Sequence, residues 1–375
     1  PSRLVGSEMC IRDRLGTATR SVTGDLTGVS IGDYHIIVRT DILNNIYEIA
    51  DSNNTTASTD LVNVNVQELP LNIPTAATLI DNTDLCYRIE IADTLENETM
   101  LVTLTSQDST NGANELYLRF GDVPSRVVYD FSHSEPFFGN QDVAVPELLE
   151  GTYYLLAYGV TTAGNSQPIE LLARILDFEI RTVDENVGGN TGQITVKLIG
   201  SKFDETTSYH LVRGTDTITA FETELVDATN VFVTFNLVGA DLGLYDVVAS
   251  KPDGQTAVKA DGFTVVEGGE PSLAINIVAP GSTRPNSIII MQVEFANTGN
   301  IDILDAEIDV NSIEGAPIGF SLTELEDLLT DIILELKEPG GPLDKLRPGA
   351  QGSISVYTKA TTGIGYILQL PELDK

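Results

Sequence analysis

The sequence predicts an all-β fold built as tandem β-sandwiches. Apolar and polar residues alternate with period two through most of the chain, and the alternating runs are short, broken by Gly, Asn, Asp and Pro. Only one stretch, near 321–336, carries a helical pattern. A length of 375 residues exceeds a single sandwich, and modules of roughly 100 residues would allow about four.

The first 14 residues, PSRLVGSEMCIRDR, read as translated sequencing-adapter sequence of the kind found at the ends of environmental contigs. They are set aside from fold reasoning. The chain is then expected to start inside a longer protein, so the lack of a signal peptide carries no weight. Residues 15–70 alternate through Tyr34, Ile36 and Val38 against His35, Ile37 and Arg39, then again through Val62, Val64 and Val66. Each set would give one apolar and one wet face, with a hairpin-like return through Asp51 and Asn53–Asn54. Gly32, Tyr34, Val38, Asp41, Glu48, Asp51, Asn53 and Asn54 follow a pattern that resembles the C-terminal half of a CARDB module, the cell-adhesion-related domain of bacterial and archaeal surface proteins. The resemblance implies a sandwich whose first strands are missing.

Residues 71–172 alternate through Tyr87–Ile91 and Leu101–Leu104, then read NELYLRFGDVPS and LLEGTYYLLAYG. Leu116, Leu118 and Phe120 are expected to face inward, with either Tyr153 and Leu155 or Tyr154 and Leu156. The Leu strand with its Pro124 turn, and Gly151, Tyr153 and Gly159, resemble the bacterial pre-peptidase C-terminal (PPC) domain, a jelly-roll-like sandwich. The Asp-Ala-Asp that usually precedes the Leu strand is here Asn111-Gly112-Ala113-Asn114-Glu115, so no metal role carries over.

Residues 173–267 contain Ile194, Val196 and Leu198 leading to Gly200 and Phe203, then Gly243-Leu244-Tyr245-Asp246-Val247, Asp253-Gly254 and Gly262-Phe263-Thr264-Val265. This resembles an IPT/TIG immunoglobulin-like domain over nearly the whole segment. A kink at Gly200 would turn the strand so that Phe203 plugs one end. Residues 271–375 hold a strand, an Asn297-Thr298-Gly299-Asn300 turn expected to close a hairpin, and a late LRPGAQGSI strand. They resemble Ig-like modules of large bacterial surface proteins. Between these, Ser321 and Glu324 form a capping-box pattern before Leu325, Leu328, Leu329, Ile332 and Leu336, which predicts a short helix over 321–336, packed across the sandwich or offered to a partner.

The chain carries 55 acidic against 21 basic residues, a formal charge of -34, and no Lys/Arg-rich run. Nucleic acid and anionic membrane surfaces are poor partners for such a surface. The acidity fits a self-repelling soluble surface or calcium bound at oxygen clusters, the best of which is Asp41, Glu48, Asp51 and Asn53. Turn chemistry explains the same four residues, so no cofactor is required and calcium stays open. No run of about 18 apolar residues exists to span a membrane. Cys86 is a packing residue in an alternating strand.

The three histidines, His35, His133 and His210, fall in different modules. No nucleophile elbow, metalloprotease helix, P-loop or paired-cysteine motif appears, so no enzyme is expected. Ligand contact is best sought at Tyr129, Phe131, Phe137 and Phe138, which would form either an exposed platform or a core plug. The expected role is an extracellular or cell-surface one: an adhesive or structural spacer contacting protein or polysaccharide and its own neighbouring modules, or else targeting modules of a secreted peptidase or glycan hydrolase.

Overall fold

The computed structural model describes residues 21, 32–43, 45, 54–107, 112–133, 137–161, 165–284, 286–312, 315–359 and 366–369, with side chains for all of these but 133 and 366–369. The fold is all-β, and the sheets sort into groups along the chain. Strands Gly32–Arg39 and Thr55–Val64 pair with each other as an antiparallel ribbon. Its alternation is interrupted by a register shift between His35 and Ile37, and both faces are wet: Ile37 is 68% exposed, and Ile36 and Val38 are also exposed. With no second sheet described against it, period-two patterning here buys no burial.

The next group is a sandwich. A five-stranded sheet in the order Gln67–Glu68, Asp84–Ile91, Gly151–Thr161, Ala113–Phe120, Phe131–His133 faces a four-stranded sheet of Thr75–Ile80, Ser166–Ile175, Met100–Ser106 and Gln141–Val145. Tyr87, Ile89, Leu116, Leu118, Tyr153 and Leu155 of the first sheet share one core with Val102, Leu104, Val143 and Leu171 of the second. The alternation therefore resolves in favour of Tyr153 and Leu155 as the inward pair. Leu69 lies in this core too, and the last strand runs on to Ile175.

A second sandwich follows. Strands Glu179–Asp184, Gln193–Ser201, Asn230–Asn236 and Glu222–Asp227 form one sheet, and Val187–Gly189, Thr256–Val266, Gly243–Ser250, Ser208–Arg213 and Asp216–Thr219 the other. Ile194, Val196 and Leu198 point into its core with Phe235, Tyr245, Val247 and Phe263. Gly200 is required by close approach: a Cβ there would sit 2.1 Å from the Glu179 carbonyl oxygen and 2.5 Å from the Phe203 ring. Phe203 is buried, edge-on to Phe178 and Tyr209, and closes that end of the sandwich as its spacing predicts.

The last group has a four-stranded sheet of Leu273–Val278, Ile288–Asn297, Gln351–Lys359 and Ile318–Gly319, a three-stranded sheet of Asp331–Glu335, Glu307–Ser312 and Tyr366–Gln369, and a short pair of Ile303–Leu304 with Lys345–Leu346. Two expectations fail here. The helix over 321–336 is replaced by a 3-10 turn at Glu324–Asp327 and a strand at Asp331–Glu335. Half the capping box forms, since Ser321 Oγ accepts the Glu324 amide at 3.3 Å, but Leu328 turns left-handed (φ 55) and ends the coil. Ile332, Leu334 and Leu336 are then buried while Ile333 is exposed, which is period two. The Asn297–Asn300 turn does not close a hairpin either, because the strand before it pairs with Leu273–Val278 and Gln351–Lys359 while Ile303–Leu304 pairs elsewhere. The buried Asn297 side chain stands in for the missing ladder, donating to the Ile301 and Leu346 carbonyls and accepting from the Gly299 amide.

Candidate functional site

The aromatic residues singled out in the sequence do not make one platform. Phe131 pairs in register with Leu118, which faces inward, so its ring packs against the core of the first sandwich. Tyr129 lies on the opposite face, 5.0 Å from the ring of Tyr117. It belongs to a turn over 121–130 laid across the outer face of the five-stranded sheet. Arg126 in that turn makes two hydrogen bonds to Glu115, at 2.6 and 2.8 Å, and its guanidinium sits 4.1 Å above the ring of Tyr158. The Arg126 bond holds the Glu115 carboxyl below its usual range even though burial works the other way. Val127, Val128 and Tyr129 are left exposed at the tip.

Phe137 and Phe138 sit on a loop whose base is tied down by buried polar groups. Asn114 donates its backbone amide to the Phe138 carbonyl and its side-chain amide to that of Gly139, and it accepts from Gln167, which in turn accepts from Ser106. Above this base Phe137 is 87% exposed, its backbone held left-handed at φ 68, and Phe138 is 55% exposed. A bulky residue rarely takes that conformation.

Of the calcium candidates, Glu48, Asp51 and Asn53 lie outside the described residues. Asp41 accepts the Asn45 backbone amide at 2.8 Å, which is turn chemistry. Among the described residues no group of three or more His, Cys, Asp or Glu is placed to hold a metal ion. His35 bonds the Ser58 carbonyl and His210 the Thr219 hydroxyl, each within its own sheet, and the His133 side chain lies outside the described set. Burial, aided by Asp84, pushes the Cys86 thiol up to about 11, so it is a protonated packing group near neutral pH. An open groove of about 580 Å3 beside Ala274, Asn276, Glu294 and Ser353 has one carboxylate in its wall and no histidine or cysteine. No helix among the described residues is long and apolar enough to cross a membrane.

A dense polar construction that sequence reasoning missed is the joint between the last two sandwiches. The corner after Asn297 inserts into the preceding sandwich. The Gly189 amide donates to the Asn300 carbonyl at 2.6 Å and the Asp302 amide to the Gln193 carbonyl at 3.0 Å. Thr195 donates to the Asp302 carboxylate at 2.7 Å. Lys345, 5% exposed, pairs with Glu222 and reaches Thr234, while Arg347, also 5% exposed, forks onto Glu338 and lies 3.9 Å from Asp184. Even the linker 267–272 is stitched on both sides. Gly268 and Gly269 bond Asn190 and Thr191 of one sandwich, and Glu267, Gly269 and Ser272 bond Asn300 and Thr298 of the other. The signal was present in the Asn-Thr-Gly-Asn motif, but its partners lie outside its own strands: Glu267 and Gly269 in the linker before it, and Gly189 in the preceding sandwich.

No protein-family model matches the chain, and no curated protein matches it either. Among solved structures, it is similar to the N-terminal eight Ig domains of Down Syndrome Cell Adhesion Molecule, at 10% identity and a TM-score of 0.19 over 80% of this chain and 42% of that one. It is similar to SGBP-B of the Bacteroides ovatus mixed-linkage glucan utilization locus, solved with a heptasaccharide, at 12% identity and a TM-score of 0.20 over 79% and 95%. The I9–I11 tandem of titin matches at 8% identity and a TM-score of 0.16 over 79% and 98%. The chain thus spans less than half the length of the cell adhesion molecule fragment.

Proposed function

We propose that this chain is a non-catalytic part of a large extracellular bacterial surface protein, in which CARDB-like, PPC-like, IPT/TIG-like and Ig-like sandwiches act as a semi-rigid adhesive spacer. The observation that carries the reading is the stitched joint. A linker bonded along its length to both neighbours, with buried ion pairs beside it, is what a spacer needs to hold an angle, whereas a passive tether needs no such bonds. The exposed Phe137 and Phe138, held out on an anchored loop, are the surface offered to an extracellular protein or polysaccharide.

The test is a distance measurement. Spin labels at cysteines introduced for Thr217 and Ser282, in a chain with Cys10 and Cys86 changed to Ser, are expected to give a single narrow distance distribution. A broad distribution would sink the spacer reading. Turnover of a peptide or glycan panel by the purified chain would sink the non-catalytic one.

A further inference from the structure

The joint between the last two sandwiches is oversupplied with acid. Lys345 and Arg347 are shared among six carboxylates: Asp302, Glu222, Asp344, Asp184, Glu185 and Glu338. Their positions differ in consequence. Glu222, Asp344 and Asp184 are each about half exposed and keep their water. Asp302 is 1% exposed and sits at the centre of the contact. One of its oxygens accepts from Thr195, and the other, Oδ1, is buried with no hydrogen-bond partner. An ionised carboxylate wants both oxygens bonded; a carboxylic acid carries no charge to satisfy.

We infer that Asp302 makes this joint an acid-tightened latch, closing more firmly as the surroundings become mildly acidic and loosening towards neutral and alkaline pH. Thr195 and Thr234 come from the opposing sheet and do not titrate in this range. Lys345 and Arg347 favour its charge, but each is already engaged, by Glu222 and by Glu338 respectively. Arg347 also lies 5.1 Å from the centre of the Phe232 ring, so its position is set by packing as well as charge.

The electrostatics of the site point the same way as its geometry. Burial pushes the Asp302 carboxyl up to about 6, against the Thr195 hydrogen bonds and the charges of Lys345 and Arg347. Burial also raises Glu185, with Asp184 and Glu338 adding to it. A carboxyl whose docked value lies above its undocked value favours docking when protonated. Its contribution is complete below the undocked value of about 4 and is lost as pH rises through about 6. Between pH 5 and pH 8 the docking equilibrium is expected to weaken roughly tenfold from Asp302 alone.

Amide hydrogen exchange on the intact chain reads this directly, since Gly189 and Asp302 donate across the joint. Their protection factors are expected to be about tenfold higher at pH 5 than at pH 8, with ladder amides of the first sandwich unchanged. Asp302→Asn, which keeps an acceptor for Thr195 and is neutral at every pH, is expected to flatten the dependence. Protection that is pH-independent, or that falls on acidification, overturns the latch, as does a full slope retained in Asp302→Asn. Should that variant fail to fold, the carboxyl-carbon NMR shift of Asp302 in the unaltered chain decides: a midpoint near 6 supports the latch, and one below 4.5 removes it. None of these outcomes bears on where the protein works, so the latch and the spacer reading can fail separately.

Discussion

The two joints flanking the second sandwich use the same residue types and differ in where the charges sit. On its N-terminal side, Arg174–Glu179, Arg181–Asp142 and Lys202–Glu98 bridge to the first sandwich with side chains between 23% and 38% exposed. There the three-residue link is held mainly by apolar groups, with Leu176 buried on one side and Phe178 packed edge-on to Phe203 on the other. On its C-terminal side, Lys345 and Arg347 are almost fully buried and Asp302 wholly so. Pairs that water still reaches trade protein contacts for water contacts at small net gain, whereas a buried ion that loses its partner has nothing to replace it. The first joint should therefore tolerate the loss of a charge, and the second should not.

That contrast can be broken at several points. Arg347→Ala removes a cation that is 5% exposed and leaves Glu338, 16% exposed, without its forked partner, and is expected to cost about 2–3 kcal/mol. Denaturant unfolding of the full chain measures it, and a loss below about 1 kcal/mol would make the two joints equivalent. Gly189→Ala probes the same joint without touching charge. Its new Cβ would lie 2.6 Å from both the Asn300 side-chain oxygen and the Gly268 Cα, and overpacking of that kind costs about 1–3 kcal/mol. The amide of Asp302 is expected to lose protection with it, and unaltered exchange there would show that the backbones can part without opening the contact. Lys202→Ala, at the other joint, is expected to cost less than about 1 kcal/mol, and about 1 M salt should abolish the difference from the unaltered chain. A larger, salt-insensitive loss would mean that Lys202 acts through its packed stem.

Much of the architecture was legible because burial on one face of a strand leaves a period-two record. Tyr87, Ile89 and Ile91, or Ile194, Val196 and Leu198, need nothing beyond their own spacing to be placed in a core. Over 321–336 the record is ambiguous, since Ile332 and Leu336 are four apart, and residues four apart share a face in a helix and in a strand alike. Only the left-handed Leu328 decides, and Leu is not a residue whose presence announces that conformation. The aromatic cluster divides for a related reason: the register that pairs Phe131 with an inward Leu118 is set by a partner strand the sequence does not name. The joint was illegible because Asp302, Lys345 and Glu222 are ordinary surface residue types until two sandwiches meet. Burial of that kind belongs to the contact, and one strand's pattern does not carry it.

The bonded linker has a mechanical consequence. If the chain is pulled from its two ends, an unattached six-residue connection straightens at almost no force before either sandwich is loaded. Here residues 267–272 cannot lengthen until their bonds to Asn190, Thr191, Thr298 and Asn300 give way, and the Gly189–Asn300 and Asp302–Gln193 bonds carry load beside them. Tension therefore passes from one sandwich to the next with little slack, and what yields first is a set of parallel hydrogen bonds that can re-form when the pull relaxes.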